Sequence, residues 1–163
     1  MSKKLEIKIK AEEKSLSKTY GKFVVKPLER GYGITIGNAL RRVLLTCLPG
    51  AAITNVRIDG VLHEFSSIEG VHEDVSDIIQ NLKGVRFKLD DNDPEKINIK
   101  LEGPCKFTGA DIQKATSELK VLNKKHYITE LNEGAKLDIE IKIGVGKGYT
   151  PSEENDLPNA PLG

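Results

Sequence analysis

Apolar and charged residues alternate at the start of the chain, and this pattern predicts two β-strands. Leu5, Ile7 and Ile9 are separated by charged residues, so one side of the segment is apolar, as in a half-buried strand. A polar stretch from Ser17 to Gly21 predicts a turn, and Phe23 to Leu28 is again rich in apolar residues. Both strands lead into the segment that follows Leu28.

That segment changes to the helical period and predicts one amphipathic helix. Phased at about 100° per residue, its main apolar stripe contains Ile36, Ala39, Leu40, Val43, Leu44 and Cys47. Leu45 lies on the opposite side, close to Arg41 and Arg42 in the preceding turn. A leucine between two guanidinium groups indicates a second contact surface. The alternative is an ordinary core helix with two solvated arginines.

Glycine and proline delimit this helix. The glycines at positions 31, 33 and 37 allow a positive φ or a close approach of the backbone, and Asn38 is a candidate N-terminal cap. Pro49-Gly50 predicts an abrupt end. Because the apolar residues recur at period two beyond this point, we place a domain boundary after Gly50.

The part of the chain from Ala51 onwards is predicted to be mainly antiparallel sheet. The predicted strands are Ile53–Ile58, Val61–Phe65, Val85–Leu89, Ile97–Leu101, Val121-Leu122, Tyr127–Leu131 and Leu137–Ile143. A turn at Asp59-Gly60 would join the first two strands as a hairpin, and a turn over Asp90 to Glu95 would join the next two. Thr108 to Lys114 is predicted to be irregular or a single helical turn.

A second helix is predicted between Ser66 and Gly84. Ser66-Ser67-Ile68-Glu69 matches a capping box. The apolar stripe that follows consists of Val71, Val75, Ile78 and Leu82, while the other side carries Glu73, Asp74, Asp77 and Asn81. This polar side is interpreted either as a solvated face or as a contact surface.

These elements predict an α+β fold with two subdomains. Residues 1–50 form the first part of a subdomain that contains sheet and helix, and residues 51–150 form a β-rich subdomain. Residues 151–163 are rich in proline and acidic residues, which predicts a mobile tail.

Composition narrows the functional classes. The chain has 163 residues with 25 Lys and Arg against 24 Asp and Glu, so its net charge is +1 and no broad nucleic-acid-binding face is expected. Cys47 and Cys105 are far apart, which is typical of reduced thiols in a cytoplasmic protein. No apolar run is long enough to cross a membrane, so we expect no membrane contact.

Catalytic and metal-binding motifs were sought without a match. The glycines near Lys147 lack the spacing of a phosphate-binding loop, and those from Gly31 to Gly37 miss the dinucleotide fingerprint by one position. His63-Glu64 and His72-Glu73 lack the second histidine of a zinc protease motif. We therefore predict no catalytic residue, no metal and no cofactor.

Several short motifs stand in one order along the chain. They are LERG, the pattern G-x-T-x-GNALRR, LPG, IDGVLHE, EGV and NLKG between Leu28 and Gly84, followed by GKGY before Thr150. In this order and spacing the chain resembles the N-terminal domain of the alpha subunit of bacterial-type DNA-directed RNA polymerase. One such motif alone would be modest evidence, whereas several in register are specific.

The resemblance implies a non-catalytic assembly scaffold. In that family two alpha subunits dimerise through the first subdomain, and the β-rich subdomain is an insert within it. The dimer then carries the two large subunits, beta and beta-prime. By position, the resemblance assigns Arg42, Leu45 and Asp77 to the beta contact, Lys83 to the beta-prime contact, and Ile36, Leu40, Val43, Leu44 and Cys47 to dimerisation.

The resemblance also implies that segments of the family are missing from these residues. They include a return segment with a second helix of the first subdomain, and a separate DNA-binding domain. We therefore expect the dimerisation subdomain to be incomplete, and residues 34–48 to associate nonspecifically or to be poorly ordered.

Two other classes of function stay open at this point. The chain could be a small enzyme with an unrecognised site, which nucleotide binding or turnover would reveal. It could also be a free-standing nucleic-acid binder, which salt-dependent duplex binding would reveal. The resemblance favours the scaffold.

Overall fold

The computed structural model describes residues 6–89, 95–151 and 154–155. The chain divides into two units, Met1–Cys47 and Leu48–Gly163. Both units combine helices with antiparallel strands, which confirms the α+β fold class.

The first unit begins with a two-stranded antiparallel sheet. Strand β1 (Lys8–Ala11) pairs with β2 (Phe23–Lys26), and a 3-10 turn at Glu13–Ser15 lies between them. Leu5, the first residue of the predicted strand, lies outside the described residues. All of β1 is exposed, and Ile9 is 70% exposed. The prediction that this first strand is half-buried is therefore wrong.

Helix α1 (Tyr32–Thr46) begins before the predicted apolar stripe. Gly31 precedes the helix with φ of 92°, a conformation that favours glycine. Asn38 is therefore not the N-cap, because it lies inside the helix. Gly33 and Gly37 are helical as well, and a Cβ atom built on either would meet nothing within 4 Å. Only Gly31 has the positive φ that was expected of these glycines.

The second unit contains seven strands and two helices among its described residues. In chain order they are β3 (Pro49–Ile58), α2 (Val75–Lys83), β4 (Phe87–Leu89), β5 (Glu95–Glu102), β6 (Cys105–Thr108), α3 (Gly109–Ala115), β7 (Leu119–Val121), β8 (Tyr127–Leu131) and β9 (Lys136–Lys147). Five strands form an antiparallel sheet in the order β5-β9-β3-β4-β7, and β6 pairs with β8 in a second sheet.

The core of this unit follows from the period-two pattern. Along β9 the buried residues are Leu137, Ile139, Ile141 and Ile143. Helix α2 packs against β8 and β3, and its buried residues are Val75, Ile78 and Leu82. The predicted stripe is confirmed for these three residues. Its fourth member, Val71, precedes the helix and forms an isolated bridge with Leu131.

Strand positions were predicted better than strand partners. No strand forms at Val61–Phe65, so the predicted hairpin is wrong; β3 instead pairs along its length with β9, and with β4 only at Ala51 and Phe87. The predicted hairpin of the Phe87 and Ile97 strands is also wrong, since β9 and β3 lie between β4 and β5 in the sheet. Of its predicted turn, Asp90 to Glu95, residues 90–94 lie outside the described residues and Glu95 is the first residue of β5.

The residues that cap the helices differ from those predicted. Asp74, and not Ser66, is the N-cap of α2, and its Oδ1 accepts the Asp77 N–H at 2.8 Å. A capping box does occur at α3, where the Thr108 N–H donates to Asp111 Oδ2 at 2.9 Å. This segment is therefore a helix of seven residues and not a single turn.

The end of the described chain is more ordered than a loop. Strand β9 continues to Lys147, past the predicted end at Ile143. Most of the predicted tail, 151–163, lies outside the described residues. Within the described part, the Asn155 carbonyl accepts a hydrogen bond from Asn55 Nδ2 at 3.1 Å.

The outer edge of β7 is covered by one side chain. Gln113 Nε2 donates to the Leu119 carbonyl at 2.9 Å, and Gln113 Oε1 accepts the Val121 N–H at 2.9 Å. These two backbone groups face away from β4, so the amide of Gln113 occupies the positions that a neighbouring strand would take.

Candidate protein-interaction surfaces

Helix α1 presents its predicted dimerisation residues to solvent. No residue of the helix is buried, and Leu40, Val43 and Leu44 are 53%, 50% and 61% exposed. Ile36 is half-buried, and Cys47 is exposed as the C-terminal cap. An apolar stripe of this kind gains free energy when a partner removes it from water, at about 25 cal/mol per Å².

The opposite side of α1 carries Arg42 and Leu45. Leu45 is 63% exposed, about as much as Leu44 on the main stripe. Arg42 forms no ion pair with a described residue, and its backbone carbonyl accepts the Thr46 hydroxyl at 2.7 Å. The side chains of Arg42 and Leu45 are thus exposed and available for a contact with another molecule.

Helix α2 carries the other two predicted contact residues. Asp77 lies in its first turn and Lys83 in its last, and both are exposed. A carboxylate near the N-terminus and an ammonium near the C-terminus also complement the helix dipole. Arg42 and Leu45 belong to the first unit, whereas Asp77 and Lys83 belong to the second.

A half-buried carboxylate precedes α2. The Glu73 side chain is 15% exposed, although the sequence placed it on a polar helix face. Its Oε1 accepts the Tyr127 hydroxyl at 2.7 Å, and its Oε2 accepts the Thr129 hydroxyl at 2.6 Å and the Glu130 N–H at 3.2 Å. His72 Nδ1 lies 3.4 Å from Oε1. The carboxylate is therefore fully occupied by donors.

This environment shifts the pKa of two groups. Burial on its own would raise the pKa of Glu73, but the hydrogen bonds from Thr129, Tyr127, Glu130 and His72 outweigh it, and the pKa lies below 4.5. Burial, together with the neighbouring Glu73 carboxylate, raises the pKa of Tyr127 to about 12. Both shifts favour an ionised Glu73 beside a neutral tyrosine.

The segment that leads into α2 is held against β8 by these bonds. The His72 N–H donates to the Glu130 carbonyl at 2.9 Å, and the Asn132 N–H donates to the Gly70 carbonyl at 2.8 Å. Glu73 thus joins backbone contacts that fix where the helix begins. It supports the position of Asp77, one turn further on.

The other end of α2 is fastened in a similar way. Asn81 Nδ2 donates to the Ile128 carbonyl at 2.9 Å, and the Asn81 carbonyl lies 2.8 Å from His126 Nε2. A Cβ atom on Gly84 would lie 2.6 Å from His126 Nε2, so any larger residue here would have to displace the His126 ring. Asn81, like Glu73, was expected on the polar face but binds the sheet.

Glu73→Gln tests the half-buried carboxylate. We expect the variant to lose about 1–3 kcal/mol of stability at neutral pH, because an amide cannot accept all of these hydrogen bonds. Since the pKa of Glu73 is lowered by folding, the stabilisation is present above pH 4.5 and is lost as the pH falls below it. Urea unfolding from pH 7 to pH 3 would measure the difference.

Glu69→Gln is the matched control, because Glu69 is exposed. It should leave stability unchanged at both ends of the pH range. A Glu73→Gln variant with the stability and the acid transition of the parent protein would contradict the role of the carboxylate.

The described residues contain no group of three or more His, Cys, Asp or Glu side chains placed to hold a metal ion. Within the same part of the chain, no helix has the length and apolar character to span a membrane.

The chain is similar to proteins of known identity. Residues 56–162 match the model of the RNA polymerase Rpb3/RpoA insert domain. The DNA-directed RNA polymerase subunit alpha of Chloroherpeton thalassium is 50% identical over 156 residues, which cover 96% of this chain and 48% of that protein. The subunit alpha of Salinibacter ruber is 54% identical over 148 residues, covering 91% of this chain and 45% of that protein.

A third relative extends the range of organisms. The subunit alpha of Alkaliphilus metalliredigens is 50% identical over 156 residues, covering 96% of this chain and 49% of that protein. The chain thus spans about half the length of the curated relatives it matches.

Proposed function

Because this chain belongs to the RNA polymerase Rpb3/RpoA insert domain family, we propose that it forms part of a non-catalytic scaffold subunit of DNA-directed RNA polymerase. A dimer of this subunit carries the beta and beta-prime subunits and brings them together for transcription in the cytoplasm. The identity of 50–54% to alpha subunits supports the proposal. In this role the chain contributes binding surfaces, and the reaction takes place on its partners.

The observation that carries the proposal is the exposure of α1 on both sides. None of the residues of α1 is buried, so its leucines expose apolar surface to water. Exposed apolar surface of this kind marks a site where a partner binds. The main stripe of Ile36, Leu40, Val43, Leu44 and Cys47 serves dimerisation in this proposal. Two copies of one stripe can cover each other in a symmetric dimer, in which each residue is used twice.

The opposite side of α1 serves the beta subunit. Arg42 offers a guanidinium that can bind a carboxylate at two points, and Leu45 beside it offers an apolar contact. Asp77 on α2 also serves the beta subunit, and Lys83 at the other end of α2 serves the beta-prime subunit. The fastening of α2 by Glu73 and Asn81 supports these assignments, because a rigid helix loses little entropy on binding.

The test is co-purification in the full-length subunit that contains this chain. Expressed with beta and beta-prime, it should form a dimer that carries both. Leu44→Glu should convert the dimer to a monomer in sedimentation velocity, because a charge would face its own symmetry copy across an apolar contact.

Leu62→Glu is the matched control, since Leu62 is an exposed leucine of the second unit and is 85% exposed. This variant should remain dimeric. If Leu44→Glu also remained dimeric, the stripe of α1 would not be the dimer contact. If the parent subunit captured neither large subunit, the scaffold role would be wrong.

A further inference from the structure

One edge of the second unit carries a concentration of positive charge. The segments 83–88 and 120–125 contain six Lys or Arg residues and no Asp or Glu, although the whole chain has a net charge of only +1. We name the basic edge by its residues Arg86, Lys120, Leu122, Lys124 and Lys125. All five are exposed.

The fold brings these residues together from two distant segments. Strands β4 and β7 pair so that Lys88 lies opposite Lys120, and the Leu122 N–H donates to the Arg86 carbonyl at 2.9 Å. Placing two like charges directly opposite each other in an antiparallel pair costs stability. The sheet carries this arrangement where its edge strand, β7, pairs with β4.

The loop after β7 is rigidly attached to the start of β4. Asn123 Oδ1 accepts the Arg86 N–H at 2.8 Å, and Asn123 Nδ2 donates to the Gly84 carbonyl at 2.9 Å. The His126 N–H donates to the Asn123 carbonyl at 2.9 Å. The backbone that carries Lys124 and Lys125 is therefore held in one position relative to Arg86.

Five lysines elsewhere on this unit lie beside carboxylates, whereas Lys142 and Lys147 form no ion pair with a described residue. Lys100 lies 2.8 Å from Asp138, and Lys136 lies 3.2 Å from Glu102. Arg86, Lys120, Lys124 and Lys125 form no ion pair with a described residue. The positive charges of these four side chains are therefore available to bind the carboxylates of a partner.

An exposed apolar residue distinguishes the basic edge from a solvated lysine face. Leu122 is 58% exposed and lies between Lys120 and Lys124 along the chain. An apolar side chain such as Leu122 gains nothing from contact with a phosphate backbone. Proteins that bind duplex nucleic acid also normally carry a large positive net charge. A protein surface of acidic and apolar residues matches both features.

The geometry points to the basic edge as a docking site for an acidic segment of a partner protein that also carries a leucine or a similar apolar residue. The carboxylates pair with Arg86 and the lysines, and the apolar side chain covers Leu122. The site does not depend on the assembly role proposed above, since none of its residues is among the assigned beta, beta-prime or dimer contacts.

The test uses the full-length subunit and a short fluorescein-labelled peptide of Glu and Asp with two Leu. Fluorescence anisotropy should show binding that weakens as salt is added. Lys124→Glu with Lys125→Glu should weaken it by about tenfold or more, because two attractive charges become repulsive. A peptide with Ser in place of Leu should bind more weakly than the original.

The control reverses two lysines that are already paired, Lys100→Glu with Lys136→Glu. It should change the affinity by less than about twofold. Thermal melting checks that both double variants fold, and Lys120→Gln with Leu122→Ser provides a milder second test of the same surface, with weaker binding expected.

Four results would overturn the proposal. They are no binding of the peptide at low salt, equal losses in the control and the Lys124 variant, equal affinity for the peptide without leucine, and tighter binding of a random-sequence duplex DNA than of the peptide. The last result would assign the surface to nucleic acid. Loss of peptide binding with intact co-purification would separate this site from the assembly role.

Discussion

Ile78→Asp is expected to unfold the second unit. Ile78 is 0% exposed in the middle of α2, where the helix packs against β8 and β3. A carboxylate there would have no partner, and such changes cost more than about 4 kcal/mol. Because domains of this size are stable by about 5–15 kcal/mol, the loss removes much of the total. Circular dichroism and urea unfolding would show it.

The control for this change is Gln80→Asp, two residues away on the exposed side of the same helix. It introduces the same charge and should leave the free energy of unfolding within about 0.5 kcal/mol of the parent's. Hydrogen exchange adds a second readout, since the amides of 78–82 in the parent should be among the most protected. A cooperative melt of Ile78→Asp at the parent's midpoint would show that α2 does not pack as described.

Substitutions on the second surface of α1 are expected to weaken binding of the beta subunit strongly. Arg42→Ala in the full-length subunit should weaken binding of the beta subunit by about 2–5 kcal/mol, and Leu45→Ala by somewhat less. Both side chains are exposed, so neither substitution removes a core contact. Dimerisation and melting temperature should therefore stay as in the parent, while capture of the beta subunit falls in a pull-down and in calorimetry.

Arg57→Ala offers a matched control, because Arg57 is an exposed arginine on β3. It should leave capture of the beta subunit unchanged. Equal capture by the parent, Arg42→Ala and Leu45→Ala would refute the assignment of this side of α1 to the beta subunit. Equal loss in Arg57→Ala would show a general effect of reduced positive charge.

The sequence predicted where most strands lie but not how they pair. Alternation along Leu137 to Ile143 reports only that one side of the strand is buried, and β9 indeed has alternate residues in the core. Its partners are β3 and β5, and the pairing of β3 with β9 joins residues such as Pro49 and Lys147. Such non-local pairing depends on how the whole core closes, which no local pattern encodes.

The start of α2 shows a competition between two local signals. Ser66 and Glu69 match a capping box, yet Asp74 caps the helix. The reason lies in tertiary contacts: the Ser66 carbonyl accepts the Val75 N–H at 3.1 Å, and Glu73 is bound to β8. The intervening residues therefore cannot continue the helix. A glutamate immediately before an Asp cap was the signal that could have identified the half-buried carboxylate.

For the interaction surfaces, the resemblance to bacterial alpha subunits is confirmed by the family match and by the relatives. The separation of Leu45 from the main stripe of α1 stays a prediction, because both sides of the helix are exposed. The contacts assigned to Arg42, Leu45, Asp77 and Lys83 stay predictions, because they depend on partner chains. A sequence identifies an exposed apolar face, whereas the partner that covers it is a property of two molecules.

The side-chain amide of Gln113 has a consequence for how any neighbour can approach β7. With the Leu119 carbonyl and the Val121 N–H already bonded, this border of the sheet cannot recruit a further strand by main-chain pairing. This one edge is thereby protected from pairing with a strand of another molecule. A partner protein that binds at β7 must therefore be recognised through side-chain contacts. Such contacts can be made by a helical segment as well as by an extended one.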